Sequence, residues 1–313
     1  MEANTMINYW KNAEGLVRTE VFESNCIVQV TAPSPSESEF LRNRFNIPED
    51  ILNDILDVDE RSRLEVYDDK LLMILRIPVY NPDNGVPFTT LPLGLILNED
   101  YTLVICQRKN ELLNNIFTNR IKTPGEVTNM DFILSLCLLN SKIYHNYLKK
   151  INIQTNQIEE DLEKSTRNKE LHRLLKMEKC LVYFTTSLRS NELLFAKIKN
   201  SRHINPEGYS EDLLEDVIIE NRQAIDMANI YSDILSGMMD AFASVISNNL
   251  NIVMKQLTIV TIILMIPTLI ASFFGMNIDN PFEHTPFAFI AVSLVSLSLS
   301  AVGVFVIRVK KWG

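Results

Sequence analysis

Hydrophobic and polar positions change rhythm along the chain. Up to about residue 120, β-rich runs are short: CIVQV (26–30), RLEVY (63–67), KLLMILRIPV (70–79), TTLPLGLIL (89–97) and TLVICQ (102–107). Turn residues separate them at Asp68-Asp69, Asn81-Pro82-Asp83-Asn84-Gly85 and Asn98-Glu99-Asp100,. Helices fit 35–45 and 48–56, the second with Pro at its first turn,. This predicts an α/β sheet domain over 1–120. From Glu126 to Asn205 there is neither Pro nor Gly, and Ile133, Leu136, Leu139, Ile143 and Tyr147 recur at helical steps,. The polar segment Lys164 to Asn168 reads as a bend, so 121–206 is expected to be an antiparallel helical pair. The acids Glu159, Glu160, Asp161 and Glu163 would then be a solvated tip.

After Pro206-Glu207-Gly208, Ser210 is a good N-cap, and the next proline is Pro267,. One helix is therefore expected from about Glu211 onward, a stalk over 207–256 that continues into a membrane. Fifty-odd residues would make a rod of roughly 80 Å. Leu257–Phe274 and Phe287–Ile307 contain no charged residue. Each is close to the length that spans a bilayer. The intervening 275–286, GMNIDNPFEHTP, is short, so the pair reads as a transmembrane hairpin. The turn has Asp279 and Glu283 but no Lys or Arg, whereas Lys255 precedes the first span and Arg308, Lys310 and Lys311 follow the second, in a tail of 308–313. By the positive-inside rule both chain ends lie in the cytoplasm of a multi-pass cell-membrane protein.

Composition narrows the function classes. The 313 residues carry a net charge of −9, which disfavours nucleic acid as a partner,. The part from 251 onward carries +2, leaving −11 on the first 250 residues. Such a domain can raise the local concentration of cations, although an acidic surface also serves solubility alone. Cys26, Cys106, Cys137 and Cys180 have no metal or disulfide spacing and read as small buried residues,. No cleaved signal peptide is expected. No nucleophile–base motif and no GxxxxGK[ST] phosphate loop occurs, so the chain is not expected to be an enzyme,.

The first span carries a stripe. Asn251, Met254, Leu257, Thr261, Met265, Thr268 and Ser272 recur at steps of three and four, on one helical face,. One reading is helix–helix packing. The other is a pore lining, with Met254, Leu257 and Met265 as dry constrictions. The second span has no ionisable residue before its end and is Ser-rich at 293, 296, 298 and 300, as a packing or lipid-facing helix would be.

Directly after the first span stands Gly275-Met276-Asn277, preceded by Phe274. Here the sequence resembles the CorA family of divalent-cation channels, whose signature is Gly-Met-Asn at the outer end of the first of two spans. The likeness extends upstream through SGMMDAFASVISNNLNIVMKQLTIVTIILMIPTLIASFFGMN and to LNDILDVDERSRLEVYDD in the sheet domain, so it covers essentially the whole chain. It implies a homopentamer in the lipid bilayer with a cytoplasmic funnel, passing Mg²⁺, with Co²⁺ and Ni²⁺ as lesser ions. Gly275, Met276 and Asn277 would form the selectivity filter. There the Asn277 carboxamide would hold the hydrated ion through its waters without a fixed charge. The resemblance also makes Asn251 a polar ring, Met254, Leu257 and Met265 the gate, Thr268 a pore hydroxyl, and Asp240 an acidic ring at the inner mouth, and Thr261 joins the pore lining by its place in the stripe. Asp54 and Asp216 would be an intersubunit sensor holding regulatory Mg²⁺, and Asp279 and Glu283 would attract cations outside.

Two departures are visible. Phe274 stands where the family commonly has Tyr, removing that hydroxyl, and Pro267 lies one position later than in many members. Two alternatives accompany the magnesium reading: a Zn²⁺, Co²⁺ or Ni²⁺ transporter of the same family, and a membrane-tethered helical scaffold. His145, His172, His203 and His284 show no ligand spacing, which disfavours a dedicated transition-metal site,.

Overall fold

The computed structural model describes residues 7–12, 15–82, 85–118, 128–164, 168–201, 204, 208–276 and 287–309. The chain divides into two compact units, 1–237 and 238–313.

The first unit is built on a seven-stranded sheet, in the order β2-β1-β3-β7-β6-β5-β4. Its strands are β1 (Ile7–Asn12), β2 (Leu16–Thr19), β3 (Cys26–Thr31), β4 (Arg63–Tyr67), β5 (Lys70–Tyr80), β6 (Phe88–Leu97) and β7 (Tyr101–Cys106). Only β3 and β7 pair in parallel. That crossover holds α1 (Pro35–Phe45) and α2 (Glu49–Leu56). Both helices bury Leu41, Phe45, Leu52 and Ile55 against Val28, Val30, Ile74, Leu103 and Ile105 of the sheet. The β1–β2 pair and α3 (Glu111–Phe117) are additions to the sequence reading. Half of β1 is polar and α3 is two turns long, so neither leaves a strong periodic signal,.

Local chemistry sets the positions of α1 and α2. Ser34 and Glu37 form a reciprocal capping box at the start of α1,. At its end, buried Lys70 donates to the carbonyls of Phe45 (3.0 Å) and Asn46 (2.9 Å), partners that a helix C-terminus lacks within itself. A Cβ on Gly94 would lie 2.6 Å from the Ile55 side chain, so glycine is what lets α2 approach β6 so closely,.

The long helices are α4 (Asn129–Lys164), α5 (Asn168–Asn200) and α6 (Glu211–Phe274). Asp161 pairs with Arg173 at 3.1 Å and Tyr147 stacks near Phe184 farther back, so α4 and α5 run antiparallel. Ser210 accepts the Leu213 N–H at the start of α6. All four cysteines are buried. Burial pushes the Cys137 thiol up to about 12 and the Cys180 thiol up to about 11, as for inert packing residues,.

A side-chain amide substitutes for a strand beside β5. β4 ends at Arg63, opposite Ile74, so the backbone of Arg76 extends beyond it. There Asn191 of α5 accepts the Arg76 N–H and donates to the Arg76 C=O, both at 2.9 Å. This completes the edge and fastens α5 to the sheet.

The second unit contains the C-terminal part of α6 and the helix α7 (Ala288–Val309). The chain thus has the predicted class: an α/β sheet unit, a long helix running on into an apolar segment, and a second C-terminal apolar helix.

Candidate functional site

α6 and α7 are both long and apolar enough to cross a membrane, and within one chain hardly any of that apolar surface is covered. In the apolar stretch of α6 from 257 onward, the residues partly covered are Ile259, Ile263, Ile266, Ile270 and Pro267 beside them. On α7 they include Ser293, Ser296, Ser300 and Gly303. Both sets recur at steps of three and four. A Cβ placed on Gly303 would meet Ile266 at 3.5 Å, and Ser296 is buried, so a branched stripe on α6 packs against a small-residue stripe on α7,.

The stripe Asn251, Met254, Leu257, Thr261, Met265, Thr268 and Ser272 covers an arc of about 120° at 3.6 residues per turn. It lies roughly opposite the isoleucines, and all its members are exposed in the single chain. Packing of α7 therefore does not account for it. Asp240, eleven residues before Asn251, returns to within about 20° of it after three turns, and its side chain is exposed. The same angle places Ser247 and Thr258 on this face. Both extend the periodicity used for the other members and could have been read from it.

The chemistry of this face follows from its hydrogen bonds. Thr258, Thr261 and Thr268 donate to the carbonyls of Met254 (2.8 Å), Leu257 (2.8 Å) and Leu264 (2.9 Å). Their protons are committed to the backbone. What remains outward is the lone pairs, which suits an ion's water shell. Pro267 sits inside α6 without ending it. At the helix end, Gly275 donates to Ala271 O at 2.9 Å, and a Cβ there would come within 3.2 Å of the same oxygen. Its φ is not positive, so no left-handed turn calls for glycine here; a side chain would require that carbonyl to shift by a few tenths of an ångström,. Met276 is half exposed. Asn277, Asp279 and Glu283 lie outside the described residues.

The two carboxylates assigned to a sensor are not joined to each other. Asp54, on α2, accepts from Arg63 Nη2 at 2.7 Å. Arg63 also bonds Glu60 through Nη1 and lies 3.1 Å from Glu65 through Nε. Burial alone would lower the Arg63 pKa, but the Asp54 bond and the charges of Glu60 and Glu65 outweigh it and hold it up,. Asp54 Oδ1 makes no hydrogen bond among the described residues, and one carboxylate oxygen therefore remains open to a ligand. Asp216 is exposed on α6 and forms no ion pair among the described residues. No group of three or more His, Cys, Asp or Glu among those residues converges on a metal-sized site within the chain.

Residues 22–311 match the family described as "CorA-like Mg2+ transporter protein". The chain is 26% identical over 311 residues to the cobalt/magnesium transport protein CorA of Methanocaldococcus jannaschii, covering 93% of each chain. It is 25% identical over 316 residues to the Thermotoga maritima protein of the same name, covering 97% of this chain and 83% of the relative. The complete structure of the M. jannaschii CorA magnesium transporter superposes with a TM-score of 0.81 at 23% identity, covering 98% of both chains.

Proposed function

The chain belongs to the CorA-like Mg²⁺ transporter family, and from that premise we propose that it is a Mg²⁺ uptake channel. It is driven by the ion gradient and membrane potential and gated by Mg²⁺ on its N-terminal, cytoplasmic side. Copies of α6, five by the family resemblance, surround one axis with the Asn251–Thr268 stripe inward and α7 outside. The observation that carries this reading is the stripe itself. A face of acceptor oxygens and apolar rings, bare in one chain and turned away from α7, suits a path for a cation.

The division of labour along that face follows from its residues. Asp240 concentrates cations at the inner mouth. Asn251, Thr261 and Thr268 accept from the ion's waters. Met254, Leu257 and Met265 close the path by excluding water when they meet. Asn277 holds the hydrated ion at the outer end, and Asp279 and Glu283 draw it there. Mg²⁺ is the cargo; Co²⁺, Ni²⁺ and Zn²⁺ are the competitors to test. In proteoliposomes with an inside-negative potential and no nucleotide, Mg²⁺ is expected to enter, faster than Zn²⁺. Absence of flux for every divalent ion would reduce the hairpin to an anchor.

Regulation rests on Asp54 and Asp216 of adjoining subunits. Their carboxylates repel when bare and attract through a bridging cation, so Mg²⁺ would hold the closed state and its loss would release it. The open Oδ1 of Asp54 and the unpaired Asp216 suit this role. Arg63 competes for the same charge. Asp54→Ala with Asp216→Ala is expected to retain flux at millimolar-order Mg²⁺ that closes the parent. Arg63→Gln is expected to do the reverse, lowering the inhibitory Mg²⁺ midpoint about fivefold, the equivalent of about 1 kcal/mol for a partly exposed pair. Midpoints measured by flux that coincide for parent and Arg63→Gln would remove Arg63 from the switch.

A further inference from the structure

The first unit holds a cavity of about 490 Å³ between the segment after α2, the β5–β6 strands and α5. Three guanidiniums line it: Arg61, Arg76 and Arg108. Arg76 is fixed by four neutral acceptors. Its Nη1 donates to the carbonyls of Val58 (2.5 Å) and Glu60 (2.8 Å), and its Nη2 to the Thr90 carbonyl (3.2 Å) and hydroxyl (2.7 Å). Its geometry is satisfied by neutral groups: no carboxylate among the described residues lies within ion-pair distance, and Asp59, Glu60 and Asp57 act on its charge only from farther away. Burial lowers its pKa, yet a guanidinium stays charged. A largely buried cation with no counter-ion in direct contact is costly, and an anion entering the cavity would relieve part of that cost.

The rim supplies what Arg76 cannot. Arg61 and Arg108 are exposed and form no ion pair among the described residues, so their forks are free to bind phosphate oxygens in the bidentate manner,. Two carboxylates also line the cavity, Asp59 and Glu60, and Glu60 is engaged by Arg63. Beside the arginines lie Tyr183, 46% exposed, and Val182, an apolar wall on which a ring can stack. The volume falls in the range of small-molecule sites and is far larger than one phosphate ion.

We propose that this cavity binds a nucleoside polyphosphate, with Arg61 and Arg108 on the phosphates, Arg76 supplying the positive field and Tyr183 stacking on the base. The test uses the full chain in lipid nanodiscs and metal-depleted buffer, titrated calorimetrically with ATP, tripolyphosphate and adenosine. ATP is expected to bind, tripolyphosphate more weakly, and adenosine not at all. Arg61→Gln with Arg108→Gln is expected to weaken ATP by about tenfold or more, the loss of at least one charge-assisted contact. Asp59→Asn is expected to tighten it. Equal affinity for ATP and tripolyphosphate would support the anion site and assign it to a bare polyphosphate. Adenosine binding as tightly as ATP, or an affinity unmoved in the double variant while its melting temperature is also unmoved, would overturn the proposal. Both arginines are exposed, so the double variant is expected to fold.

Discussion

Asn277→Ala is expected to reduce Mg²⁺ flux in proteoliposomes by at least about a hundredfold while leaving assembly unchanged by size-exclusion chromatography. In the proposed pentamer the substitution removes five carboxamides at once. Each contributes a water-mediated hydrogen bond of about 0.5–1.5 kcal/mol to holding the hydrated ion. Five such losses, at the low end, already correspond to nearly two orders of magnitude in occupancy. A useful contrast is Thr261→Val. The Thr261 hydroxyl proton already goes to Leu257 O, so the substitution removes only an outward lone pair and leaves the helix intact. Its effect on flux is expected to be several-fold at most. Equal flux in Asn277→Ala and the parent would take Asn277 out of the ion's path.

The largest stability effect is expected in the first unit, at Asn191. This side chain is fully buried. Its Oδ1 accepts from Arg76 N–H (2.9 Å) and the Ser62 hydroxyl (2.6 Å), and its Nδ2 donates to Arg76 O (2.9 Å). Asn191→Leu keeps the branching and the number of heavy atoms and strands the Arg76 amide where β4 no longer reaches. An unsatisfied buried amide costs about 1–3 kcal/mol, and the Ser62 hydroxyl loses its partner as well. A destabilisation of about 3 kcal/mol is therefore expected, or a fall in melting temperature of roughly 6–12 °C for a unit of this size. Asn140→Leu should be much milder. The Arg76 carbonyl also accepts from Asn191 and Tyr144, and Asn140 Oδ1 has no partner to lose. Melting temperatures of the two variants that agree within error would refute the strand-substitute role of Asn191.

The contrast between these two positions marks where sequence reading reaches and where it stops. The uncharged runs 257–274 and 287–307, the stripe from Asn251 to Thr268, and the Gly-Met-Asn turn were legible because each is a one-dimensional pattern. Helical geometry converts spacing into a shared face without further information, and a bilayer's thickness converts an uncharged run into a span. The five strands β3 to β7 were legible for the same reason, since apolar or β-branched runs between turn residues need no partner to be recognised,. β1 was not, because a strand half of whose residues are polar is recognised only once it lies between β2 and β3.

The tertiary structure alone decided which charges meet. Arg63 answers Asp54 because α2 packs over Gly94 and a short connection leads from its end into the first residue of β4. Asn191 completes the edge of β5 across more than a hundred residues of chain. Three arginines from separate segments share one cavity with a tyrosine of α5. Such contacts depend on strand register and helix docking, which are set by the whole core at once. A local pattern of residues carries no record of them, because the chain brings them together only after the sheet and the helices have found their places.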